Sequence, residues 1–170
     1  MPTHILRPNA DTKADWTEDA VGTAFSKLDD AVTQPTAPTT GSDRITTTSN
    51  NTICTVGFET FTLGSRRIRS ITAWVYGQAV NASNYYTFAL RSTPALFGAT
   101  QGSYTSASFG WASNTAYGSW TQAHLDNLEL VMTSQGATGT REIDAAYVEV
   151  VTENYRPNRI GGRRRLIRNG

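Results

Sequence analysis

The chain has 170 residues and a formal net charge of +1; it is 38% hydrophobic and only 17% charged, and 26 Thr, 13 Ser, 14 Gly and 10 Asn fill the difference. Thr suits strands, and Ser, Gly and Asn suit turns, so the composition argues for an all-β fold and against a helical bundle. An aromatic content of 10% argues against disorder, no apolar run reaches the roughly 20 residues of a bilayer span, and a single cysteine, Cys54, makes neither an internal disulfide nor a zinc site.

The opening Met1-Pro2-Thr3-His4 has no basic stretch leading into an apolar run, so no secretory signal is expected. His4–Arg7 is a short apolar start that Pro8 ends. Between Asn9 and Thr40 the chain is polar. There Val21, Phe25, Leu28 and Val32 recur at helical spacing, which predicts a helical turn or two. Thr33–Ser42, with two prolines, reads as an extended loop.

From Asp43 the pattern becomes strand-like. The run from Ile53 to Thr62 carries apolar groups on both faces, which predicts a bulge or register change near Gly57. Arg67 to Tyr76 alternates as one long strand, and Tyr85–Arg91 forms the next, which Pro94 breaks. The Gly- and Ser-rich stretch 98–118 predicts one edge strand around Tyr104–Phe109, with loops on either side. Trp120-Thr121 starts a short turn, Leu128–Thr133 is a strand, and Gln135–Gly139 reads as a hairpin loop. In the closing strand Arg141–Thr152, Ile143, Ala145, Tyr147 and Glu149 are expected to face opposite to Asp144, Ala146, Val148 and Val150. Seven or eight strands without strand–helix alternation predict a single antiparallel β-sandwich, jelly-roll-like, over 1–155, with a short N-terminal helical turn.

The remaining 15 residues form an extended basic arm. Residues 156–170 hold six Arg and no acid, leaving nine basic and 14 acidic residues, a net of −5, in 1–155. Arg156, Arg159, Arg163, Arg164, Arg165 and Arg168 suit pairing with carboxylates of a partner, and Ile160, Leu166 and Ile167 suit burial against it. The arm has no aromatic for base stacking, and the acidic body repels phosphate, so nucleic acid is not the expected partner.

Catalytic signals are weak. His4 and His124 form no metal-ligand spacing, and His124 reads as a turn residue. Cys54 reads as a small buried hydrophobe. Asp29-Asp30 and Asp15/Glu18/Asp19 are acids of the type a glycosidase pairs, but adjacent acids in a polar segment read as solvated. Asp11, Asp15 and Asp19 are hard oxygen donors without EF-hand spacing. The expectation is therefore no catalytic residue, no metal, no cofactor, no small-molecule substrate and no membrane. Tyr104, Trp111 and Tyr117, with Phe109 and Trp120 nearby, are candidates for a glycan-stacking platform; Trp120 reads as a core anchor.

Several segments follow one another in a characteristic order. They are "ILRPNADTKADWT", the acidic "LDDAV", a Pro/Thr loop into "DRITT", "RSITAWVYGQA", and "GSWTQAHLDNLEL" before "GTREIDAAYVEVV". In this layout 1–155 resembles the jelly-roll-like accessory proteins of tailed-bacteriophage virions, the minor capsid, decoration and minor tail proteins. The resemblance implies a non-enzymatic virion component assembled in the host cytoplasm. It also implies a homo-oligomer, a trimer above others, docking on the major capsid or another virion protein through the arm. The alternative reading is a carbohydrate-binding or receptor-binding module using the aromatics of 104–120. A small glycoside-active sandwich enzyme is the third.

Overall fold

The computed structural model describes residues 1–18, 23–38, 44–79, 83–92 and 102–154. In chain order these form β1 (Thr3–Leu6), β2 (Pro8–Ala14), β3 (Thr17–Glu18), α1 (Ala24–Leu28), β4 (Ile45–Thr47), β5 (Ile53–Phe58), β6 (Arg66–Ala79), β7 (Asn84–Ser92), β8 (Gly102–Tyr104), β9 (Gly110–Ala116), α2 (Gln122–Asp126), β10 (Leu128–Gly136) and β11 (Arg141–Asn154). Residues of the basic arm and part of the predicted helix and turns, including Val21, Asn81 and Pro94, lie outside the described residues.

Period-two alternation sets the two layers. Ile71, Ala73 and Val75 of β6 are buried while Ser70, Thr72 and Trp74 are half-exposed. Tyr86, Phe88 and Leu90 of β7, and Leu128, Leu130 and Met132 of β10, bury the opposing face. All pairings are antiparallel. One sheet runs β3-β4-β11-β6-β9, with β1 beside β11; the other runs β2-β5-β10-β7-β8. The set β4-β11-β6-β9 facing β5-β10-β7-β8 is a jelly roll, to which β1, β2 and β3 are added.

Among the described strands, only the steps β3 to β4 and β7 to β8 stay within one sheet. The predicted hairpin at Gln135–Gly139 is therefore an arch: β10 pairs β5 and β7, whereas β11 pairs β4, β6 and β1. A local turn signature does not distinguish a hairpin from a crossing between layers, because both reverse the chain. Two strands escape the sequence pattern. β2 occupies residues of a stretch read only as polar, with no strand expected, since it is an edge strand whose side chains are mostly exposed. β9 at Gly110–Ala116 lies beyond the predicted edge strand Tyr104–Phe109, and β8, at Gly102–Tyr104, overlaps it only at Tyr104. Small residues dominate β9, so alternation hardly shows there.

Bulges reassign faces. A register shift between Ile143 and Ala145 of β11 puts Ile143 in the core together with Ala146, Val148 and Val150, and turns Tyr147 outward. The sequence expectation had Ile143 and Tyr147 on one face; one inserted residue inverts the phase of everything after it. Near Gly57 the irregularity expected from the sequence lies on the partner strand, where Pro8 and Ala10 flank the shift.

Close backbone approach fixes two glycines. A Cβ on Gly77 would run into the Glu142 carbonyl and come within 2.8 Å of the Tyr86 hydroxyl. Gly136 has φ of 86°, the left-handed region, with the Ser83 carbonyl where a Cβ would sit.

The arch end of the sandwich is tied by a buried arginine. Arg141 is 0% exposed. Its guanidinium donates to the carbonyls of Gly139 (2.7 Å), Ala137 (2.6 Å), Tyr85 (3.2 Å), Ser49 (3.5 Å) and Gln135. One planar fork of donors thus satisfies carbonyls of the loop after β4, of the start of β7, and of the arch with the end of β10 that leads into it. Burial lowers the Arg141 pKa.

At the N-terminal side, α1 begins where helical spacing predicted it, with the Thr23 amide donating to Ser26 Oγ at 3.0 Å. The Asp11 carboxylate of β2 accepts from the amides of Ala24 (3.0 Å) and Phe25 (2.7 Å). Ala24 and Leu28 enter the core.

Candidate functional site

The outward alternation of three neighbouring strands builds one aromatic face. Trp74 and Tyr76 of β6, Tyr147 of β11 and Trp111 of β9 lie on the solvent side of their sheet, since Tyr147 is paired with Trp74 and Trp111 with Tyr76. The rings form an unbroken chain. Trp74 stacks on Tyr147 with centroids 6.1 Å apart, and Tyr147 meets Trp111 edge to face at 5.4 Å. Trp111 meets Tyr76 at 5.2 Å, and Tyr76 stacks on Phe109 at 5.7 Å. An arginine sits over a ring near each end: Arg7 lies 5.2 Å from the centroid of Tyr147, next to the Trp74 end, and Arg44 5.3 Å from that of Phe109, the other end.

Part of this face is covered by the turn that follows α1. Arg7 Nη1 donates to the Val32 carbonyl (2.7 Å), the Gln34 amide to the Tyr147 hydroxyl (3.3 Å), and Trp111 Nε1 to the Thr36 carbonyl (3.0 Å). Tyr147 is buried beneath it at 1% exposure, whereas Trp111, Phe109 and Trp74 remain half-exposed. Burial raises the Tyr147 pKa, against the opposing pull of the Gln34 amide and of Arg7. The Tyr76 hydroxyl is raised as well, by burial first and then by Asp144 and Tyr104. At the margin, Glu142 accepts from Arg44 Nη1 at 3.2 Å and from Gln78.

The three rings expected to make a platform are separated. Trp111 belongs to the face just described. Tyr104 points toward the core, 5.5 Å from Tyr86, with its hydroxyl donating to the Ser108 carbonyl. Tyr117, 78% exposed, stands beyond the far end of β9. Trp74, Tyr76 and Tyr147 were missed because they read as members of alternating core strands. The signal was present in the wrong phase: once the bulge at Ile143 is known, Tyr147 falls in line with Trp74.

No protein-family model and no curated protein matches the chain. Among solved structures it is similar to the CBM36-1 domain of a multidomain xylanase from the hindgut metagenome of Trinervitermes trinervoides, at 12% identity and a TM-score of 0.44 over 91% of this chain and all of that one. It is similar also to the C-terminal CBM6 of LamC, a marine laminarinase from Zobellia galactanivorans, at 8% identity and a TM-score of 0.49, covering 88% of this chain and 99% of that one. Likeness at this level carries nothing about ligands.

The remaining candidates have structural employment. Asp11 caps α1, and Asp15 pairs with Lys13 at 2.9 Å, which lowers its pKa. Asp19 lies outside the described residues, and no group of three His, Cys, Asp or Glu among the described residues is arranged to hold a metal. The His124 ring accepts the Thr121 amide at 2.9 Å. His4 stacks on Phe61 at 3.9 Å. Cys54 and Trp120 are in the core. Among the described residues no helix is long and apolar enough to cross a membrane.

Proposed function

We propose that this jelly roll is a non-catalytic binding module that stacks a saccharide chain on its outer ring face, with Trp111 as the principal contact. The observation that supports the reading is the ring chain itself, five aromatics in continuous contact outside the core. An aromatic face offers apolar area to the C–H face of a sugar ring, while marginal polar groups orient its hydroxyls. Gln78 and Glu142 supply such groups here. The rings sit mainly on paired strands, so little ordering is needed on binding. The test is retention of the purified protein on a panel of immobilised neutral and acidic polysaccharides. Wild type is expected to be retained by one class, and Trp111→Ala to lose at least about tenfold in affinity while keeping its far-ultraviolet spectrum, as loss of a central aromatic anchor does. Wild type retained by no member of the panel overturns the reading, as does undiminished binding by Trp111→Ala.

A second reading, docking on a virion neighbour, is favoured by the six Arg of 156–170. They follow directly on β11, whose last residue, Asn154, pairs with Arg66 beside the exposed Arg67 and Arg69. Arg67 is already paired with Glu153 at 2.7 Å. Deleting 156–170 is expected to leave the melting curve unchanged and to abolish attachment to the particle. Full attachment by the truncated protein overturns this reading.

A further inference from the structure

Sheet edges in monomeric proteins are usually blunted, because an open row of amides and carbonyls recruits another strand. Most edges of this sandwich are blunted. β3 is two residues long and β8 three. β1 is four residues between Pro2 and Pro8, and β2 carries Pro8, Lys13 and two register irregularities. β9 is the exception. Its seven residues, GWASNTA, contain no charge and no proline, and they pair with β6 at seven successive positions without a shift. Among the described residues, no backbone hydrogen bond leaves β9 except toward β6.

We infer that β9 is a strand-pairing interface and that its occupant is the β9 of a second copy, antiparallel about a two-fold axis through Ser113. This register uses the whole strand. It sets Trp111 opposite Thr115 of the second copy, Ala112 opposite Asn114, and Ser113 opposite itself. No like charges meet, and the Trp–Thr pair is of the aromatic and β-branched kind that stabilises cross-strand contacts. The same register carries Tyr117 of each copy to Phe109 of the other. Tyr117 is the most exposed large hydrophobic residue described, at 78%, and this pairing covers it. A two-fold closes the contact, so the product is a dimer with one continuous sheet and not an open fibre.

The experiment is the solution mass of the full chain by sedimentation and light scattering over a dilution series. The expected result is a concentration-dependent dimer. Ser113→Lys places two ammonium groups face to face and is expected to weaken it about tenfold; Ser113 is exposed, so the fold is spared. Mixing Ser113→Lys with Ser113→Glu is expected to restore a mixed dimer. Should Ser113→Lys fail to fold, Tyr117→Ser serves as the second variant, with the same weakening expected. A strict monomer at the highest soluble concentration overturns the inference. A dimer indifferent to both substitutions does so too, as does the trimer implied by the virion resemblance. Polysaccharide retention does not enter this readout, so the two proposals fail separately.

Discussion

Trp111 on β9 and Tyr147 on β11 meet edge to face at 5.4 Å with β6 lying between their strands. The contact is made over the outside of the sheet, above Trp74 and Tyr76. The two residues nevertheless have different roles. Tyr147 is sealed under the turn 32–36, and Trp111 faces solvent on one side. Tyr147→Ala is expected to destabilise the fold by about 3 kcal/mol, in the range of buried aromatic truncations. Trp111→Ala is expected to cost about 1 kcal/mol, the scale of a lost aromatic pair, while carrying the loss of saccharide binding. Urea unfolding of both variants checks the split.

Arg141 is a buried cation whose hydrogen-bond partners among the described residues are all backbone carbonyls. Removing it leaves those acceptors dry and unpaired. Arg141→Met is expected to lower stability by about 3 kcal/mol or more, since each hydrogen bond to a charged donor is worth roughly 1.5–3 kcal/mol. Arg141→Lys should recover little, because an ammonium cannot span five carbonyls spread over two loops and the ends of two strands. The midpoint of urea unfolding measures both.

Tyr86 is fully buried, and among the described residues its hydroxyl has no hydrogen-bond partner. Burial, followed by Tyr104, holds its pKa well above the usual value of 10.0. A raised folded-state pKa means that the neutral phenol is favoured in the fold. The stability linked to it is present below the unfolded value, near pH 10, and is lost as pH rises toward the folded value. Tyr86→Phe is therefore expected to be at least as stable as wild type at pH 7, by up to about 1–3 kcal/mol. It should also show a smaller loss of stability between neutral and strongly alkaline pH. Denaturation midpoints on both sides of pH 10 are the measurement. A variant weaker than wild type at pH 7 would show that the hydroxyl has a partner.

Asp11 is spent on the first amides of α1. Chelation is expected to leave the melting temperature unchanged, and Asp11→Ala to lower stability by about 1 kcal/mol, the value of a helix cap. A fall of many degrees in chelator would mark the region around Asp11 and Asp15 as a cation site.

Much of the architecture was readable from local pattern. The long strand around Ile71–Val75, the strand before Ser92, the closing strand to Thr152 and the helical turn at Phe25–Leu28 all announce themselves by period. Cys54, Trp120 and His124 were read as structural, and they are. The outer ring face was legible only in part. Trp111 was named, but Tyr104 turned inward and Tyr117 stands apart, while Trp74 and Tyr147 were read only as members of alternating strands.

What the sequence alone determined is therefore the class of fold and the existence of an aromatic surplus beyond the needs of a core. Thr-rich alternation and turn residues at short intervals are local properties, and a β-sandwich follows from them. The tertiary structure decided which layer each strand joins, and so turned the loop at 135–139 into an arch. It also decided which way the rings face. Side-chain direction in a strand has period two, so the bulge between Ile143 and Ala145 reverses Tyr147 without altering a single residue type. The edge position of β9 is of the same kind. Nothing within GWASNTA says that one side of it goes unpaired; that depends on β6 being its neighbour and on no other described strand arriving beside it.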